Sequence, residues 1–269
     1  MVKKLFKHEI YAYLRTILPM HMILLCIAIL GRFIQLFEND SVSYRIVFWS
    51  SVVAFIIGVV VCIVLTLVFG IRRFYSNLFT SEGYLSFTLP VTSTQHIWVK
   101  NTVALLSQLA SIIMILISCC AITFGDVCVE VFKAIGYLFK LSYTEIGYHT
   151  TLFVIEFIIT LIVSIATTYM LFYACIALGQ RAKKNRVAAA VGVFFIYYLI
   201  MQVIATIFII IVAVFHEQLR IDELITYLEN HPVFTNHLVF SVTTIINAIG
   251  FVIFYAVTKS SIKNKLNLE

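Results

Sequence analysis

A chain of 269 residues with 62% hydrophobic and only 12% charged residues leaves no room for a soluble catalytic domain beside its apolar segments. The formal charge of +6 does not point to nucleic acid, because the basic residues flank the ends of apolar stretches. There they set membrane topology and contact anionic headgroups.

Six apolar stretches dominate the pattern, at 17–37, 46–70, 97–124, 151–179, 187–215 and 238–257. Each reaches the ~20 residues a helix needs to cross ~30 Å of hydrocarbon. Backbone groups in lipid must be paired within the segment, so all six are expected as helices and the fold as all-α. Most of the 19 basic residues fall in the N-terminal arm, the second and fourth loops and the tail: Lys3, Lys4, Lys7, Arg15; Arg72, Arg73, Lys100; Arg181, Lys183, Lys184, Arg186; Lys259, Lys263, Lys265. The intervening loops hold most of the acids, from Glu38 and Asp40 to Glu229. The positive-inside bias then places both termini in the cytoplasm.

In chain order, residues 1–15 alternate apolar Val2, Leu5, Phe6, Ile10, Tyr13 and Leu14 with basic or polar Lys3, Lys4, Lys7, His8 and Arg15. This pattern predicts an amphipathic interface helix, bending at Pro19 into span one. It serves either as a surface anchor or as a partner contact.

The segment 71–100 is the longest loop on the cytoplasmic side and is rich in aromatic and aliphatic residues. Ser81 with Glu82 can start a short helix that Pro90 ends, and Thr92 with Gln95 forms a capping box for the third long helix. Tyr84, Leu85, Phe87 and Leu89 would then face lipid or another protein.

The run Ser81-Glu82-Gly83-Tyr84-Leu85, then Thr88-Leu89-Pro90-Val91-Thr92, then Lys100, resembles the permease subunits of ATP-binding-cassette type-2 exporters. That family carries an E-G-x-L…L-P-x-[ST]…K pattern in this loop. The resemblance covers about 20 residues by motif and the whole chain by its six-span layout. It implies a non-catalytic subunit that forms half of a pathway with a second permease, either an identical copy or a related chain. A separate ATPase would bind ATP and Mg and push on this loop. The coupling contact it implies is Arg73, Glu82, Gly83, Tyr84, Leu89 and Pro90.

The outer loop 126–149 is longer than the family usually shows. Phe132, Ile135 and Phe139 there suggest an interfacial helix. Span four carries Glu156 at membrane depth, where an acid is costly enough to suggest function. Thr160, Ser164 and Thr167 continue its stripe, which either lines an aqueous route or packs on a neighbour. In span five, Tyr198, Gln202 and Thr206 follow one another at helical spacing. The resemblance makes them candidates for the substrate pathway, with packing as the rival. Ala188 and Gly192 would let helices approach closely. The outer loop 216–237 is expected to hold a short helix over Ile221, Leu224, Ile225 and Leu228. Span three's stripe of Asn101, Gln108, Ser111 and Ser118 reads as packing.

No G-x-x-x-x-G-K-[ST], G-x-S-x-G or H-E-x-x-H occurs, so no motif for nucleotide, hydrolase or metalloprotease chemistry is present. The seven histidines are scattered, and no pair shares a helix face, so none is expected to bind metal. No cysteine spacing suits a metal or a disulfide framework. The leading expectation is an exporter permease in the cell (inner) membrane. An ion-coupled carrier, or a membrane partner that does not transport, remains open beside it.

Overall fold

The computed structural model describes residues 2–80, 83, 90–182, 184–218 and 220–264. Among the described residues there are eight helices and no strand: α1 (Val2–Gln35), α2 (Val42–Phe79), α3 (Ser93–Ile122), α4 (Asp126–Ile146), α5 (His149–Gly179), α6 (Arg186–Val214), α7 (Ile221–Asn230) and α8 (Pro232–Asn264). Six of them, α1, α2, α3, α5, α6 and α8, are long and apolar enough to cross a membrane. By this architecture the chain is a multi-pass helical membrane protein.

The N-terminal arm is not a separate interface helix. α1 runs unbroken through Pro19 for 34 residues. A proline inside a helix costs about 3 kcal/mol through its lost hydrogen bond and ring clash. What offsets this is a single buried stripe continuing on both sides of it: Glu9, Tyr13, His21, Leu24, Ala28 and Gly31. These fall at the i, i+3, i+4 spacing of one helix face. Pro19 itself points outward.

The chain divides into two compact units, residues 1–74 with 87–141, and residues 75–86 with 142–269. In the first, α1 and α3 run parallel, since Glu9 meets Lys100, His21 meets Ser111, and Gln35 meets the Ile122 carbonyl. α2 is antiparallel to α1: Tyr13 lies edge-on to Phe69 at 5.0 Å, and Phe55 and Cys62 join Leu24, Ala28, Ile115 and Ile122 in one apolar cluster. The expected polar stripe of α3 is buried, with Asn101, Gln108, Ser111 and Ser118 all inside. His21 satisfies part of it: Nδ1 donates to the Ile17 carbonyl at 2.9 Å, so Nε2 accepts from Ser111 Oγ at 2.8 Å. The start of α3 is the predicted capping box. Thr92 Oγ1 accepts from the Gln95 amide, and the Gln95 side chain accepts from the Thr92 amide at 3.0 Å.

In the second unit, α5 and α8 run parallel. Thr160 and Thr244 share a hydrogen bond of 2.7 Å, Thr167 Oγ1 donates to the Asn247 carbonyl, and Arg181 donates to Ser261. α6 is antiparallel to both, with Phe172 stacked on Phe194 and Tyr197 edge-on to Phe254. Successive membrane crossings must alternate in direction, and within each unit the first and third long helices are parallel as that requires.

The close approach of α5 and α6 is not at Gly192, which has open space around it. It is at Gly179, where a Cβ would fall 2.6 Å from the Ala190 nitrogen. α4 lies in the segment 126–149, where an interfacial helix was expected, and α7 in the segment 216–237, where a short helix was expected; Phe132, Ile135 and Phe139 of α4 are exposed.

Candidate functional site

Among the described residues, the most deeply buried ion cluster joins three helices of the first unit. Arg73 Nε donates to Glu9 Oε2 at 2.5 Å, and Lys100 Nζ donates to Glu9 Oε1 at 2.8 Å. Glu9 is 2% exposed and Lys100 5%. Taking such charges out of water costs several kcal/mol per ion, and only close pairing with filled hydrogen bonds offsets it. Here each carboxylate oxygen has its own cation, an arrangement of charge-assisted bonds rather than a loose surface pair.

Helix geometry puts the three side chains together. Glu9 lies on the buried stripe of α1, four residues before Tyr13, so both point to the same side. Arg73 is in the last turns of α2, and Lys100 is in the second turn of α3, one residue before buried Asn101. The two cations bracket the segment 71–100 in sequence, and both are fastened to one carboxylate.

Arg73 was expected at a coupling contact, and Lys100 belongs to the motif. Glu9 was not singled out by sequence. The signal was there, because it is the only acid before Glu38 in an otherwise basic arm. Of the other coupling candidates, Glu82, Tyr84 and Leu89 lie outside the described residues. Gly83 is buried and its amide donates to the Thr80 carbonyl at 2.8 Å, while Pro90 is exposed.

The pathway candidates separate into two groups. Glu156 accepts a hydrogen bond from His237 Nδ1 at 2.8 Å, and His237 Nε2 lies 2.9 Å from His149 Nδ1. That chain joins α5 to α8. Tyr198, Gln202 and Thr206 are all exposed on α6, a helix with no buried residue, and the Thr206 hydroxyl bonds the Gln202 carbonyl of its own helix. No bond joins this stripe to Glu156 among the described residues.

Searches against protein-family models, curated proteins and solved structures each found no match. What the fold and the site define is therefore the class: a multi-pass helical membrane protein with a buried Glu–Arg–Lys cluster at the two ends of the segment 71–100.

Proposed function

We infer that this chain is a permease subunit of an ATP-driven exporter in the cell (inner) membrane, with both termini in the cytoplasm. It forms half of a translocation pathway, and a second permease, identical or related, supplies the other half. Separate ATPase subunits carry ATP and Mg and supply the hydrolysis. The observation that carries this reading is the Glu9 cluster. Arg73 and Lys100 stand at the two ends of the motif-bearing segment 71–100, and each holds one oxygen of a carboxylate on α1. A push on that segment from a docked ATPase reaches α1, α2 and α3 through these charged contacts at its ends.

Two further features support it. Lys3, Lys4 and Lys7 are exposed on α1 and suit an anionic headgroup layer. α6 has no buried residue and exposes much of its apolar surface together with the Tyr198–Gln202–Thr206 stripe, as a helix would that meets lipid on one side and a second permease or cargo on the other. α7 follows the fifth span in sequence, where members of the resembling family carry short helices that close the pathway on the outer side.

The test is ATPase stimulation in reconstituted vesicles. Glu82→Ala with Tyr84→Ala is expected to uncouple hydrolysis from transport while the chain still inserts and folds. Normal coupling by that double variant overturns the reading.

A further inference from the structure

We propose that His149 and His237 form a binding site for a divalent cation of the zinc class, clipping the N-terminal ends of α5 and α8 together. The site rests on features independent of the exporter reading.

The sequence hides this pair, because the two histidines come from different helices. His149 is the first residue of α5, and His237 lies in the second turn of α8. The parallel packing of those helices brings their starts side by side. His149 Nδ1 and His237 Nε2 then face one another at 2.9 Å, with ring planes tilted by 58°. Two imidazole nitrogens bound at 2.0–2.1 Å to one tetrahedral ion lie about 3.3 Å apart. Replacing the shared proton by a cation therefore needs an opening of only about 0.4 Å.

The second observation is the carboxylate behind the pair. His237 Nδ1–H donates to Glu156 Oε1 at 2.8 Å, which leaves the lone pair of Nε2 aimed at His149. A carboxylate on the far nitrogen of a histidine is the usual outer-shell partner of a metal-bound imidazole, fixing its tautomer and raising its basicity. Glu156 Oε2 is buried with no hydrogen-bond partner. A dication on His237 Nε2 would place countercharge one ring away from that carboxylate.

The rings are also held in place. Tyr148 stacks on His149 at 4.2 Å between ring centres, and Phe153 lies against His237 at 4.4 Å. On binding, His149 moves its proton from Nδ1 to Nε2, so both facing nitrogens become donors to the ion and neither imidazole gains or loses a proton overall. Among the described residues no third ligand converges, so water completes the coordination. Imidazole nitrogens favour zinc, copper and nickel over magnesium and calcium.

The experiment uses the purified full chain in lipid nanodiscs, with Zn(II) titrated by calorimetry and Co(II) as the spectroscopic reporter. Saturable binding of one ion, with a nitrogen-ligated Co(II) spectrum, is expected. His149→Gln and His237→Gln keep polar side chains that can preserve the fold, and each should weaken binding at least 100-fold. Glu156→Gln, acting from behind His237, should weaken it about 10–100-fold. His216→Gln with His231→Gln should bind like the native chain. The proposal is overturned if native protein binds Zn(II) no better than the His149→Gln, His237→Gln double variant. It is equally overturned if only the His216, His231 variant loses the ion.

Discussion

Lys100 Nζ donates to Glu9 Oε1 at 2.8 Å across 91 residues of chain, with both side chains more than nine-tenths buried. Removing Glu9 takes the shared carboxylate from two cations, Arg73 and Lys100, and removing Lys100 leaves that carboxylate with Arg73 alone. Lys100→Met or Glu9→Gln alone should therefore cost about 3–5 kcal/mol in reversible unfolding from mixed micelles. Glu9→Leu combined with Lys100→Met should cost clearly less than the sum of Glu9→Leu and Lys100→Met measured singly, because the second change removes a cation whose carboxylate is already gone. Additive losses would show that the pair is not coupled.

Gly179 and Gly192 make a matched test of helix packing. A methyl group at Gly179 meets the Ala190 backbone, so Gly179→Ala should cost about 1–3 kcal/mol by overpacking α5 against α6. Gly192 has nothing within 4 Å, and Gly192→Ala should stabilise α6 by up to about 1 kcal/mol through helix propensity alone. Thermal midpoints in one detergent suffice to rank them, and the reverse order contradicts the packing described.

Thr92 and Gln95 satisfy two amides at the start of α3. Thr92→Ala should lower stability by about 1 kcal/mol. Hydrogen exchange should speed up in the first turn of α3, while the amides around Ser111 stay protected. Faster exchange along the whole helix would mean that the cap governs more than its own turn.

Tyr198, Gln202 and Thr206 are exposed, so their alanine variants should shift stability by no more than about 0.5 kcal/mol each. If the stripe lines a pathway, transport falls while the fold holds. Unchanged transport in the triple variant removes these residues from the route.

The long helices were legible because apolar length and charge bias act locally. So were the Thr92–Gln95 cap and the short helix after span five, whose Ile221, Leu224 and Ile225 mark one helix face. What stayed hidden depends on partners distant in sequence. Pro19 argued for a break, and only the burial of Glu9 and Tyr13 on one side and His21 and Leu24 on the other shows why α1 continues. Glu9 gave a compositional hint but no partner. His149 and His237 share no helix face, so nothing local could pair them. Gly192 had the right chemistry for close packing, but the tight backbone contact of α5 with α6 falls at Gly179, against Ala190.

The central claim is that an engine outside this chain drives it through the inner segment. The most direct measurement is purification of the chain at native abundance from its own membrane, with a photo-crosslinker at position 84 and mass spectrometry of what is captured. A nucleotide hydrolase crosslinked at that position and present in proportion to this chain is the result predicted. Capture of phospholipid alone, with no hydrolase in the purified material, would contradict the account.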